Sequence, residues 1–121
     1  MTTVKIYGIK NCDTMKKAMN WLKDHSIDFE FHDYKKLSID EENLRFWLSK
    51  FPWDELINKR GTTWRKLPED DKVNIDQDKA VQLMLTNTSL IKRPILSIQD
   101  LSTHKDLLLG FKEEQYHRIF K

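Results

Sequence analysis

One residue in this 121-residue chain has the type and setting for nucleophilic chemistry. Cys12 is the single cysteine, and it falls between a strand-like run, Val4-Lys5-Ile6-Tyr7 ending at Gly8, and a helical pattern that opens at about Asp13. A sulfur at that junction faces the unpaired N–H groups of the first helical turn. Their partial positive charge favours thiolate over thiol, and the thiolate is the nucleophile. Lys10, two residues earlier, adds to the same field. A lone cysteine also serves as a small buried hydrophobe, and position alone leaves both roles open. Arg93-Pro94, ahead of a third strand, is a second candidate. An X-Pro pair either adopts the cis form or merely starts an edge strand. Arg60, in Asn58-Lys59-Arg60-Gly61-Thr62-Thr63, is a third. A glycine turn with hydroxyls and guanidinium groups can hold an oxyanion or carboxylate through bidentate contacts, or can be a solvated surface turn.

Other chemistries lack a pattern. His25, His32, His104 and His117 are scattered with no metal-ligand spacing, so no metal site is expected. No glycine-rich phosphate loop and no G-x-S-x-G elbow is present. With one cysteine, an intramolecular disulfide is impossible. The tryptophans Trp21, Trp47, Trp53 and Trp64 read as core or inter-helix packing rather than base-stacking platforms.

Around these residues the elements follow from periodicity. Met15, Ala18, Met19 and Leu22 share one face of a helix over about 13–25. Ile27 to His32 alternates as a second strand, which completes a β-α-β unit. Ser38-Ile39-Asp40-Glu41 has capping-box spacing before Leu44, Trp47, Leu48 and Phe51 repeat at helical intervals. A short helix is expected from Trp53 to Asn58. Another starts at Pro68 with Glu69-Asp70-Asp71, and a third spans about 76–86. Residues 38–87 are thus a block of short helices. Pro94 to Ile98 and Asp106 to Leu109 are strands joined by a polar turn over 99–105, and Tyr116, Ile119 and Phe120 back a final helix from about Lys112. The expected architecture is α/β, a four-stranded mixed sheet in the order β-α-β, helical insertion, β-β-α. Length predicts one domain over 1–121.

Composition narrows the partners. Lys and Arg number 21 against 19 Asp and Glu, and they divide evenly, 11 basic and 10 acidic in 1–60 and 10 and 9 in 61–121. No basic arm exists, so direct nucleic-acid binding is not expected. No apolar run approaches the roughly 20 residues that span a bilayer, and the start MTTVKIYGIKNC reads as one short alternating segment, so a secretory signal is not expected. A cytoplasmic protein without a membrane partner is expected.

Three segments together identify a family resemblance: Tyr7-Gly8-Ile9-Lys10-Asn11-Cys12-Asp13-Thr14, Arg60-Gly61-Thr62-Thr63-Trp64-Arg65-Lys66-Leu67, and Leu90-Ile91-Lys92-Arg93-Pro94. They resemble the arsenate reductase/Spx-like (ArsC) family, and most of all its YffB-type members, over essentially the whole chain. The resemblance implies a thioredoxin-like fold with a helical insertion, a cis bond at Arg93-Pro94, and Cys12 as nucleophile. Arg60 and Arg93 match arginines that frame the family's anion pocket, with Lys10, Asn11 and Pro94 beside the cysteine as further binding residues. It implies a glutathione-dependent thiol reductase with no bound cofactor, glutathione as co-substrate, an anionic thiol or oxyanion as substrate, glutaredoxin as a potential partner, and a monomer. Two departures matter. The third arginine of the glutaredoxin-coupled arsenate reductases is missing from Leu108-Leu109-Gly110-Phe111-Lys112, which weighs against arsenate reduction. The C-x-x-C of Spx regulators and thioredoxin needs a second cysteine where Met15 stands, so a dithiol switch is excluded, and turnover requires an external thiol. The remaining readings are arsenate reduction with an incomplete pocket and a non-catalytic regulator that contacts RNA polymerase.

Overall fold

The computed structural model describes residues 3–10, 12–99 and 105–120, with the side chain of Lys105 left aside. Two compact units emerge. Residues 1–33 and 93–121 form a sheet unit, and 34–92 form a helical unit.

In the sheet unit, β1 (Thr3–Gly8) buries Val4 and Ile6 and exposes Thr3, as the alternation predicts. It is followed by α1 (Asp13–Asp24), whose buried residues are Met15, Ala18, Trp21 and Leu22. Met19, expected on that face, is half-buried at its edge, and Trp21 takes the deeper place. The helix stops in a Schellman closure. Ser26 adopts φ +57°, its N–H donates to Lys23 O at 3.1 Å, and Ile27 N–H donates to Leu22 O at 2.9 Å. That closure uses Ile27, so β2 (Glu30–Asp33) begins three residues later than its alternation suggests. The other two strands are β3 (Ile95–Gln99) and β4 (Lys105–Leu109). Strand order is β2-β1-β3-β4, with β1 parallel to β2 and the other neighbours antiparallel. The expected four-stranded mixed sheet is therefore observed. The last helix, Glu113–Phe120, is called α8 because six helices of the other unit precede it. It seats Tyr116 edge-on against Trp21 at 5.4 Å and against Phe111 at 4.8 Å. Positions 100–104 of the expected polar turn lie outside the described residues.

The helical unit contains α2 (Tyr34–Leu37), α3 (Glu41–Leu48), α4 (Trp53–Leu56), α5 (Thr62–Lys66), α6 (Glu69–Lys72) and α7 (Gln77–Thr86), then a 3-10 turn at Thr88–Leu90. Leu44 and Trp47 of α3 are buried, as are Ala80, Val81, Leu83 and Met84 of α7. The start of α3 differs from the capping box expected at Ser38. Asp40 is the N-cap, and its carboxylate accepts the Asn43 N–H at 2.9 Å, while Ser38 sits at φ +58°. An aspartate two residues on makes the same bond, and Ile39 is thereby left outside the helix and buried. Glu41 does not reach back to Ser38; it pairs with Arg45 at 2.8 Å. Asp76 caps α7 through the Lys79 N–H at 2.8 Å. The helix expected to run to Asn58 ends at Leu56, because Ile57 turns extended and pairs with Ile91. Thr62 and Thr63, read as part of a turn, instead open a short helix, Thr62–Lys66.

Candidate active site

Cys12 is the N-cap of α1, with extended backbone (φ −109°, ψ 125°). Its carbonyl accepts the first helical bond, from Lys16 N–H at 3.0 Å. The Cys12 side chain makes no capping hydrogen bond to the turn it precedes, and the first N–H groups of a helix have no partner within the helix itself. Asp13 stands in that same turn, and its negative charge offsets part of the field. The cysteine is half-buried and leans on the core of the sheet unit. It is neither sealed inside nor fully exposed.

Met15 explains why no second thiol stands one turn on. Its side chain is fully buried and fills the space over Gly8. A Cβ at Gly8 would run into the Met15 thioether, so the glycine at the end of β1 is required by close approach.

Strand register brings the Arg93-Pro94 segment to the same end of the sheet. Ile95 pairs with Tyr7, so Pro94 stands one step further, where β1 ends and the Cys12 loop begins. The Arg93-Pro94 bond is cis, and Pro94 O accepts the Gly110 N–H at 2.8 Å. Gly110 holds φ +80°, a conformation that favours glycine. Pro94 is buried and Arg93 is half-buried. Lys10 is exposed in the turn before the cysteine, and Asn11 lies outside the described residues.

Arg60 belongs to the helical unit. It borders a surface pocket of about 290 Å³ together with Asp54, Ile57, Asn58, Lys59 and Lys92. Asn58 Oδ1 accepts the Arg60 N–H at 3.1 Å, and Arg65 Nη2 donates to Arg60 O at 3.0 Å. Lys59 lies over the rings of Trp53 at 5.1 Å and Trp64 at 5.8 Å. Those two tryptophans are half-buried hosts for a lysine, unlike Trp21 and Trp47, which are buried as the packing expectation has it.

Sequence reasoning looked to the carboxyl ends of the parallel strands for Cys12 but passed over His32 and Asp33, which stand at the same ends. There Gly8 pairs with Asp33 and Tyr7 with His32, whose rings lie 4.9 Å apart. Asp33 is the buried charged residue among those described. It is the last residue of β2, at the strand end where open α/β sheets gather functional groups, but only the parallel register sets it beside β1. No group of three or more metal-ligating side chains is found among the described residues, and no helix there is long and apolar enough to cross a membrane.

The β2-β1-β3-β4 sheet, with a cysteine at the start of α1 and a cis-proline ahead of β3, defines a thioredoxin-like fold. The ArsC family model matches residues 7–119. The solved structure of a YffB protein is 45% identical and superimposes with a TM-score of 0.88, covering 98% of this chain and all of that one. An arsenate reductase (ArsC) related protein from Brucella melitensis is 52% identical, with a TM-score of 0.71 over 98% of this chain and 95% of its own. The global transcriptional regulator Spx 1 of Oceanobacillus iheyensis is 30% identical over 96% of this chain and 86% of its own. The chain belongs to the ArsC family and, within it, to the YffB-type subgroup.

Proposed function

We propose that this protein is a monothiol oxidoreductase in which Cys12 is the nucleophile and glutathione the resolving thiol. The observation that carries the reading is the half-buried Cys12 at the N-cap of a 12-residue helix, at the end of the sheet where the cis Arg93-Pro94 segment also arrives. In thiol–disulfide exchange the thiolate is the attacking species. The Cys12 thiolate attacks a substrate disulfide, forms a mixed disulfide, and expels the other sulfur as a thiolate. Glutathione thiolate then attacks the mixed disulfide. The substrate leaves as its glutathione disulfide and Cys12 is regenerated. A second glutathione, directly or through glutaredoxin, completes the reduction. An external thiol is required because Met15 fills the position one turn on.

Arg93 and Arg60 supply guanidinium groups for the carboxylates of glutathione or for an anionic substrate, with Lys10, Asn11 and Pro94 as further binding residues. The reaction suits a monomer in the reducing cytoplasm, where glutathione keeps such a thiol reduced.

Intact mass after incubation with oxidised glutathione tests the reading. One glutathionyl group is expected on the wild type and none on Cys12→Ser, with unchanged circular dichroism. A wild type that stays unmodified overturns it. The similarity to an Spx regulator across 96% of the chain favours a second reading, a non-catalytic protein that contacts RNA polymerase. That reading expects Cys12→Ser to keep partner binding and phenotype. Arsenate reduction, suggested by the Brucella relative's description, expects arsenate-dependent turnover with glutathione and glutaredoxin.

A further inference from the structure

We propose that His25 and His117 form a binding site for a zinc(II) ion, which staples the end of α1 to α8. Both helices belong to the sheet unit. The site stands apart from Cys12: His25 is the C-cap of α1 and Cys12 its N-cap, and the helix between them rises roughly 20 Å at about 1.5 Å per residue. The inference is therefore independent of the Cys12 reading.

The two imidazole centres lie 5.3 Å apart, although their residues come from opposite ends of the chain. Two imidazoles on one tetrahedral zinc ion, with Zn–N of about 2.0–2.1 Å, have centres roughly 5 Å apart. His25 stacks on Trp21 with centres 3.9 Å apart, and His117 stands 5.3 Å from each of those rings and nearly perpendicular to both. Equal distances set His117 beside the stack, at the edge of the His25 ring, where the nitrogens are, rather than over its face. His117 is exposed, and its ring turns about the soft Cβ–Cγ torsion to present a nitrogen. The expectation of no metal site rested on spacing along the chain, which does not register a pair brought together by two helices.

A hydrogen bond at the back of His25 fixes which nitrogen is offered. Nδ1 lies 2.8 Å from Trp21 O. A carbonyl oxygen only accepts, so Nδ1 carries the hydrogen, and Nε2 of the neutral ring keeps its lone pair for a metal. A ring N–H held by a backbone carbonyl is the outer-shell arrangement that orients metal-ligating histidines. The local field has the matching sign. His25 caps the C-terminus of α1 and His117 lies in the last turn of α8. Both helix ends present carbonyls without intrahelical partners and the negative pole of a dipole, which favour a cation. Lys23 and Arg118 flank the pair in sequence, but both are exposed, where water and salt screen them. Zinc suits imidazole ligands. Among the described residues no third metal-ligating side chain joins the pair, so water completes the tetrahedron.

The test titrates zinc chloride into the full chain carrying Cys12→Ser, which removes the competing thiolate, and follows the imidazole nitrogen signals by NMR. Those of His25 and His117 are expected to shift together and to saturate at one ion per chain, while those of His32 stay in place. His117→Gln, a change at an exposed side chain, is expected to weaken zinc binding by at least about tenfold. An ion held by both helices favours the folded chain, so zinc is expected to raise the urea midpoint, and His117→Gln to lose that gain. Zinc that shifts neither ring or only one of them, binding that His117→Gln leaves unchanged, or no saturation below about 1 mM overturns the inference.

Discussion

Gly8 and Met15 are coupled through one contact. The Met15 thioether lies where a Cβ on residue 8 would go, and Met15 is fully buried, so it has little room to withdraw. Gly8→Ala is expected to cost roughly 1–3 kcal/mol by overpacking. Met15→Ala is expected to cost roughly 2–5 kcal/mol by leaving a cavity. In the double variant the new methyl enters the space that methionine vacates. The combined loss is then expected to fall short of the sum by about 1 kcal/mol or more, read from urea denaturation as a double-mutant cycle. Strict additivity would show that the two side chains do not meet. Cys12 itself was legible in the sequence, since its place between a strand and a helix follows from two periodicities. The burial of Met15 was legible too, as part of the α1 face; its packing on Gly8 was not, because periodicity carries no distance.

At the scale of the element, α8 closes one side of the sheet unit through Tyr116. Its ring is fully buried among Trp21, Phe111 and Phe120, and its hydroxyl finds no hydrogen-bond partner among the described residues. Burial pushes the phenol well above its ordinary value of 10.0. Below that value both folded and unfolded chains hold the proton, and stability does not depend on this group. As pH rises past about 10, only the unfolded chain ionises, and stability falls. Tyr116→Phe is expected to be neutral or to stabilise by up to about 1 kcal/mol at pH 7. Its advantage is expected to widen at pH 10.5, both read from urea midpoints. A loss of more than about 1 kcal/mol at pH 7 would mean that the hydroxyl is bonded after all. Helix ends show where local signals compete. Ser38-x-x-Glu41 satisfies the capping-box spacing, yet Asp40 makes the cap, because the better acceptor two residues later leaves Ile39 free to be buried. Pro68 with its three acids marks the start of α6 as written in the sequence, since those terms act within one turn.

Across the whole molecule, β1 and β3 are the strands paired on both sides, while β2 and β4 are edges of the described sheet. Ile6, Ile95 and Leu96 are fully buried on those central strands. Their amides are expected to exchange slowest in the sheet unit, and those of β2 and β4 faster, by hydrogen exchange with mass spectrometry. Faster exchange in β1 than in β2 would contradict the strand order. The charge balance of 21 to 19 provides no dense cationic face in the sequence, yet the pocket beside Arg60 gathers three cations locally. Global charge therefore says little about a site made from separate segments.

The sequence by itself determined the element order, the mixed four-stranded sheet and the family, because strand and helix periods, caps and three contiguous motifs are local and survive without coordinates. It also set the chemistry available, one thiol and no partner for it. Tertiary structure alone decided which residues share a place. The pairing of Ile95 with Tyr7 brings Pro94 to the end of β1, and the Ile57–Ile91 bridge brings Lys92 to Arg60. Those pairings join residues more than thirty positions apart, and no periodicity within either segment encodes its partner's register.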